Sequence, residues 1–207
     1  MTKTGRGNSG QKADLARESI LISLGHRFIA GVDEVGRGPL AGPVAAAAVV
    51  LDPARPVPGL NDSKAMSAAM RERLFPEILL KAHASIVFLP VSVIDALNIR
   101  NASLEAMRQA VSGLAVSPDF ALIDGRDIPP GLACPAEAII GGDRRSASIA
   151  AASIVAKVLR DRMMSRADMA FPGYEFSRHA GYGTLLHRSA LAALGPSDLH
   201  RRSFKLG

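Results

Sequence analysis

Apolar residues along the chain fall into runs of two kinds. Phe28–Val32 is a short apolar run that ends in two acids, and Phe28–Val35 reads as a first strand. Val44–Leu51 (VAAAAVVL) is apolar throughout. Its length, its β-branched end and the bracketing Pro43 and Pro53 favour a buried strand over a helix segment. Ala84–Leu89, Phe120–Ile123 and Ala138–Ile140 supply three further strands. Met70, Leu74, Ile78 and Leu79 recur at helical spacing and predict a helix over Ser67–Ala82, kinked or broken at Pro76. Other helices are expected over Asp14–Leu24, Val93–Asn98, Ser103–Leu114, Ser146–Met164 and Thr184–Leu194, the last stopped by Gly195-Pro196. The Ser146 helix opens SASIAAASIVAK, small side chains that let it lie close on a neighbouring layer. Three strands followed by strands alternating with helices predict an α/β sheet of mixed direction.

The 207 residues suffice for one domain with a sizeable core. Aromatic residues are only 4% of the chain and Trp is absent, so small aliphatic side chains must build that core by close packing. Residues 1–17 are a basic segment expected to be disordered, above all over Met1–Gly10, and 18–207 a single domain. The formal net charge of +6 suits a polyanionic partner. A lone Cys134 excludes an internal disulfide and fits a reducing compartment. No apolar stretch approaches the roughly 18 residues that span a bilayer. A cytoplasmic monomer is the expectation.

Chemistry concentrates in Ile29–Pro43, IAGVDEVGRGPLAGP. Asp33 and Glu34 close an apolar run, where adjacent like charges repel and lose solvation unless a cation lies between them. Ligands that are all oxygen favour a hard divalent ion, Mg²⁺ or Mn²⁺. Asp124 closes the fourth strand and Asp143 follows the fifth, each beside glycine. Ligands gather at the carboxyl ends of strands in open α/β sheets, so these acids can converge on a two-metal phosphoryl-transfer site. Asp124-Gly125 also reads as an ordinary turn, and Asp143 as a turn residue before a helix. Consecutive strand residues face opposite sides, so for Asp33 and Glu34 to share a metal the strand must end at Asp33 or bulge. Asp161 is expected to pair with Lys157 or Arg162.

Gly36 and Gly38 flank Arg37 and let the backbone approach a ligand, with Arg37 placed for a phosphate or a polar substrate edge. Lys64, Arg144, Arg145, Lys157, Arg178, His187, Arg188, Arg201 and Arg202 are scattered cations, most of them expected on a solvated surface. His179, His187 and His200 lack zinc spacing. Tyr182, between glycines, is either presented to a sugar or base or plugs a core edge.

Six stretches then carry a resemblance. They are DEVGRGPLAGPV (Asp33–Val44), NDSK (Asn61–Lys64), LIDG (Leu122–Gly125), GGDRRSASIAAASIVAKVLRDR (Gly141–Arg162), HAGYGTLLH (His179–His187) and HRRSF (His200–Phe204). Together they resemble the bacterial type 2 ribonucleases H, ribonuclease HII. The resemblance implies a ribonuclease H-like fold, a five-stranded mixed sheet flanked by helices with a C-terminal helical extension. It implies metal-dependent endonucleolytic cleavage of RNA in RNA–DNA hybrids and of single ribonucleotides in duplex DNA, leaving 5′-phosphate and 3′-hydroxyl ends. By motif match Asp33, Glu34, Asp124 and Asp143 become the catalytic, metal-binding acids. Gly36, Arg37 and Gly38 become the loop that senses a ribose 2′-hydroxyl. Tyr182 becomes the residue that stacks at the RNA-to-DNA junction, and Lys64 a backbone-phosphate contact. The sister type, ribonuclease HIII, usually carries a large extra N-terminal domain for which this chain has no room.

Overall fold

The computed structural model describes residues 13–206. Five strands form one sheet: β1 (Ile29–Val35), β2 (Val44–Leu51), β3 (Ala82–Leu89), β4 (Phe120–Asp124) and β5 (Ala136–Ile139), in spatial order β3-β2-β1-β4-β5. β1–β2 and β2–β3 pair antiparallel, whereas β1–β4 and β4–β5 pair parallel. The sheet is therefore mixed, as the order of the runs predicts. The first three strands form a meander, although a helix separates β2 from β3 along the chain.

Helices α1 (Ala16–Ser23), α2 (Ala68–Lys81), α3 (Val91–Leu97), α4 (Ile99–Ser112), α5 (Ala147–Ala170), α6 (Phe176–His179) and α7 (Leu185–Leu194) complete the described chain. α4 covers one face of the sheet, packing Ala102, Ala106, Met107 and Ala110 against Ala46, Ala48 and Val32. α5 and α2 cover the other, with Ala150, Ala151 and Ile154 against Ala47 and Val49. Every residue of β2 from Val44 to Val50 is buried, because both faces are covered. The alanine-rich start of α5 lies directly on β1. A side chain at Gly31 would overlap the backbone of Ser148 and Ile149, so this approach requires glycine.

Local differences from the sequence expectation have identifiable causes. α2 runs unbroken through Pro76. The proline removes one helical donor, but Pro76 and Glu72 are both exposed, so water can satisfy the Glu72 carbonyl. α4 starts four residues before the predicted Ser103, because Asn98 at φ +64° caps it, accepting a hydrogen bond from Asn101 N at 3.1 Å. α5 extends six residues beyond Met164, and that added length packs Met164 and Ala167 with Tyr174 and Phe176. This cluster is the core of the C-terminal helical part. The short α6 has no sequence signature. The basic segment assigned to 1–17 does not stay outside the fold along its whole length: α1 begins at Ala16, and Arg17 pairs with Glu137 on β5. Residues 1–12 lie outside the described range.

Candidate active site

Four acids stand at or just beyond the carboxyl ends of the parallel strands, the place where an open α/β sheet leaves a crevice. Asp33 and Glu34 are near the end of β1, Asp124 is the last residue of β4, and Asp143 lies in a 3₁₀ turn (Gly142–Arg144) after β5. β1 neither stops at Asp33 nor bulges. Its register continues without a break through Asp33↔Ala47, Glu34↔Ala46 and Val35↔Ala45. The two acids accordingly face opposite sides of the sheet. Asp33 shares the α5 face with Ala47, and Glu34 the α4 face with Ala46. The expected bulge is absent because continuous pairing with β2 holds the strand regular.

Asp33 is 3% exposed. Burial, reinforced by the charges of Glu34 and Asp124, raises its pKa well above the usual carboxylate range, while the nearby Ser153 hydroxyl and the charge of Lys64 oppose the rise. Ser153 belongs to α5, and its hydroxyl also meets Ser63 at 2.7 Å. Ser153 falls in the SASIAAASIVAK stretch, whose small side chains the sequence reads as close packing. A hydroxyl among alanines on a sheet-facing helix is the signal that marked it.

Burial also raises Glu34, against the pull of Arg37, whose Nη1 stands 3.3 Å away. Glu34, Arg37, Ser103, Met107 and Asp124 line a small cleft on the α4 side. Asp124 is fixed by the Gly142 amide, which donates to its Oδ1 at 2.7 Å. Asp143 is pushed up to about 6 by burial and by the charges of Asp124 and Asp62. Asp124 is thus the common neighbour, its charge felt by Asp33, Glu34 and Asp143. Asp62, in the NDSK stretch, was not singled out from sequence. It adds a further negative charge beside Asp143, and Arg144 Nε lies 3.9 Å from both.

Lys64 sits among these acids. Burial works against its charge, yet the fields of Asp33, Asp143, Asp124 and Asp62 outweigh that and raise its pKa. Among the described residues no three His, Cys, Asp or Glu side chains close around one point. The donor set nonetheless fits a hard divalent cation: it is entirely carboxylate oxygen, and the repulsion stored at buried Asp33 is offset only in part by Lys64 and Ser153. A bound cation would quench that repulsion.

Arg37 and Tyr182 are exposed near this crevice. A Cβ on Gly38 would stand 3.7 Å from the Tyr182 ring, so the loop after β1 and the loop before α7 abut. Tyr182 is presented to solvent, not buried as a plug. Asp161 pairs with Lys157 at 2.8 Å, the structural role expected of it. Two expected surface cations are buried instead: Arg201 and His187 are each 0% exposed and cannot touch a phosphate from there. Arg144, Arg145, Arg178, Arg188 and Arg202 remain exposed. A cavity of about 420 Å³ lies away from the acids, beneath α1 and the proline loop at Pro53–Gly59. No described helix is long and apolar enough to cross a membrane.

Comparison with known proteins bears on the family and the fold. The sequence model of a family described as Ribonuclease HII matches residues 30–207. A Ribonuclease HII of Sinorhizobium fredii (strain NBRC 101917 / NGR234) is 60% identical over 177 residues, covering 86% of this chain and 77% of that protein. The crystal structure of the ribonuclease H2 from Pyrococcus horikoshii OT3 has a TM-score of 0.74 at 24% identity, covering 87% of this chain and 95% of that one. Bst-RNase HIII, crystallised in complex with Mn²⁺, shares the fold at a TM-score of 0.60 and 19% identity, covering 89% of this chain and 69% of that one.

Proposed function

Because this chain belongs to the ribonuclease HII family and is an endoribonuclease, we propose that Asp33, Glu34, Asp124 and Asp143 hold its divalent cations and carry its chemistry. Its substrates are the RNA strand of RNA–DNA hybrids and single ribonucleotides embedded in duplex DNA. Its products bear 5′-phosphate and 3′-hydroxyl ends. The observation that carries the reading is the position of Asp124, electrostatically joined to the other three acids beside exposed Arg37 and Tyr182.

Mg²⁺ or Mn²⁺ is the cofactor that the all-oxygen donor set suits, and Bst-RNase HIII with Mn²⁺ supports that choice. When bound, the cation supplies Lewis-acid activation of water and charge neutralisation at the scissile phosphate. The chain supplies the rest. The Glu34 amide donates to Asp33 Oδ1 at 2.7 Å, and the Gly142 amide orients Asp124. Lys64, held charged by the surrounding acids, offers a cation to the phosphate backbone. Gly36, Arg37 and Gly38 present main-chain groups and one guanidinium to the ribose 2′-hydroxyl, the atom that separates RNA from DNA. Tyr182 offers its ring to the sugar beyond. The protein acts as a cytoplasmic monomer.

The deciding experiment incubates the protein with Mg²⁺ or Mn²⁺ and a DNA duplex containing one ribonucleotide, beside an all-DNA duplex. Cleavage of the first alone is the expected result. Binding without cleavage, or cleavage of both duplexes, would overturn the proposal.

A further inference from the structure

Two arginines are buried without a carboxylate partner. Arg160, on α5, and Arg201, in the C-terminal segment, are both 0% exposed. Neither forms an ion pair among the described residues, and their guanidinium charges oppose one another. Buried charges are rarely tolerated unpaired, and a well-packed apolar residue often stabilises a fold as much as a buried ion pair does. Here main-chain carbonyls take the place of the missing acid. Arg201 donates from Nε to Gly42 O at 3.0 Å, from Nη1 to Arg37 O at 3.0 Å, and from Nη2 to Gly36 O at 2.5 Å, Gly42 O at 2.9 Å and Pro43 O at 3.2 Å. Arg160 donates from Nε to Pro43 O at 3.0 Å, from Nη2 to Ala41 O at 3.3 Å and from Nη1 to Ala180 O at 3.0 Å. Burial and the neighbouring charge of Arg160 lower Arg201 to about 9, which leaves it protonated at neutral pH.

The carbonyls chosen are informative. Arg201 grips Gly36 and Arg37, the residues that open the loop whose Arg37 side chain projects beside Glu34. Arg160 grips that same loop at Ala41 and Pro43, and reaches across to Ala180, two residues before Tyr182. Main-chain bonds reinforce the crossing: Leu40 N donates to Gly181 O at 2.8 Å, and Arg201 N to Leu40 O at 2.9 Å. Gly36 has φ +91°, and a Cβ there would collide with the Arg160 side chain, so the glycine and the arginine require one another. Arg160 is also two helical turns from Ser153 on the same face of α5, which ties the clamp to the helix that packs over Asp33.

We propose that Arg160 and Arg201 are positioning residues that clamp the Gly36–Pro43 loop to the Ala180–Tyr182 loop, so that Arg37 and Tyr182 meet the substrate as one rigid surface. The inference rests on the reading of Arg37 and Tyr182 as substrate contacts. An irregular loop also needs partners for its buried carbonyls whatever its function. The tests are therefore chosen to separate positioning from mere support.

Arg160→Lys and Arg201→Lys keep the charge and lose the planar fork that reaches several carbonyls at once. In the metal-loaded protein, kcat and KM are measured on a duplex with one ribonucleotide and on a long RNA–DNA hybrid, at a temperature where each variant is folded. The expected result is a loss of at least ~10-fold in kcat/KM on the single-ribonucleotide duplex, larger than the loss on the hybrid. The shift in Tm caused by Mn²⁺ should stay at the wild-type value, because the acids are untouched. Equal losses on both substrates would overturn the proposal. Amide hydrogen exchange on the wild-type protein gives a second reading that needs no variant and no activity. Leu40 and Tyr182 amides should exchange through one common opening, and independent openings would overturn the clamp. A wild-type protein that cuts neither substrate removes the functional reading, and the exchange experiment then decides the clamp alone.

Discussion

His187 and His200 face each other with their Nε2 atoms 3.0 Å apart. The protons on this pair are assigned by their other partners. His187 Nδ1 meets the Tyr182 carbonyl at 3.0 Å and must donate, whereas His200 Nδ1 receives the Ser197 amide at 2.9 Å and must accept. His200 Nε2–H therefore donates to His187 Nε2, and both rings are neutral. Thirteen residues apart in sequence, they join the C-terminal segment to the carbonyl of Tyr182. Burial, then the proximity of His187 and the charge of Arg202, push His200 down to about 4, and burial also lowers His187.

An imidazole held below its unfolded value weakens the fold as pH falls. The unfolded chain takes up protons below about 6.5 while the folded chain refuses them, so stability is lost from there down to the folded value. We expect the stability difference between wild type and His200→Gln, measured by urea unfolding, to shrink by up to about 3 kcal/mol between pH 7 and pH 4. Parallel pH profiles for the two proteins would show that the histidine pair is not responsible.

Asp124→Asn keeps an acceptor for the Gly142 amide and removes the charge that Asp33, Glu34 and Asp143 all feel. Cleavage should fall at least ~100-fold. Hybrid binding should survive in a gel-shift assay, and the metal-free protein should melt no lower than wild type, because repulsion has been relieved. A variant that cuts at the normal rate removes Asp124 from the site.

Divalent ions should raise the melting temperature of the wild-type protein and do so less for Asp124→Asn. A ligand at 100 times its Kd adds about 2.7 kcal/mol to a fold that alone can bind it. Differential scanning fluorimetry with Mg²⁺, Mn²⁺ and excess EDTA reads this directly. Identical shifts in the two proteins would place the ions elsewhere.

Glu18 on α1 caps the start of α5. Its Oε1 accepts from Ser146 Oγ at 2.6 Å, Ser148 N at 2.9 Å and Ser148 Oγ at 2.6 Å. A carboxylate at a helix N-terminus also meets the positive end of the helix dipole. Glu18→Ala should cost about 2 kcal/mol and lower Tm by several degrees, with activity per folded molecule unchanged. An unaltered melting curve would mean that α1 contributes no cap.

Tyr182→Ala should reduce activity on a single embedded ribonucleotide by about 10-fold or more, the worth of a stacked ring, while Tyr182→Phe retains most of it. The Mn²⁺-induced shift in Tm should be unaffected by either change. Equal activity of the alanine variant would deny the ring a role in the substrate.

The sequence by itself determined the strands and where the acids fall along them. β2 matches its apolar run residue for residue, because a strand buried on both faces leaves an uninterrupted apolar signature. Asp33, Asp124 and Asp143 were legible because each follows an apolar run and has glycine within three residues, a conjunction that local structure alone does not demand. The alanine-rich opening of α5 announced its close approach to the sheet, and Gly31 is the matching half of that contact. These are local patterns, carried by residues a few positions apart.

Only the tertiary structure decided that Asp33 and Glu34 face opposite sides, since the pairing of β1 with β2 sets where the strand stays regular. It alone turned Arg201 and His187 from surface cations into buried groups. The reason is distance along the chain. The carbonyl of Gly36 lies 165 residues from the Arg201 guanidinium that it receives, and no pattern around either residue records the other. A charged side chain reads as exposed until the fold brings it enough fixed dipoles to replace water.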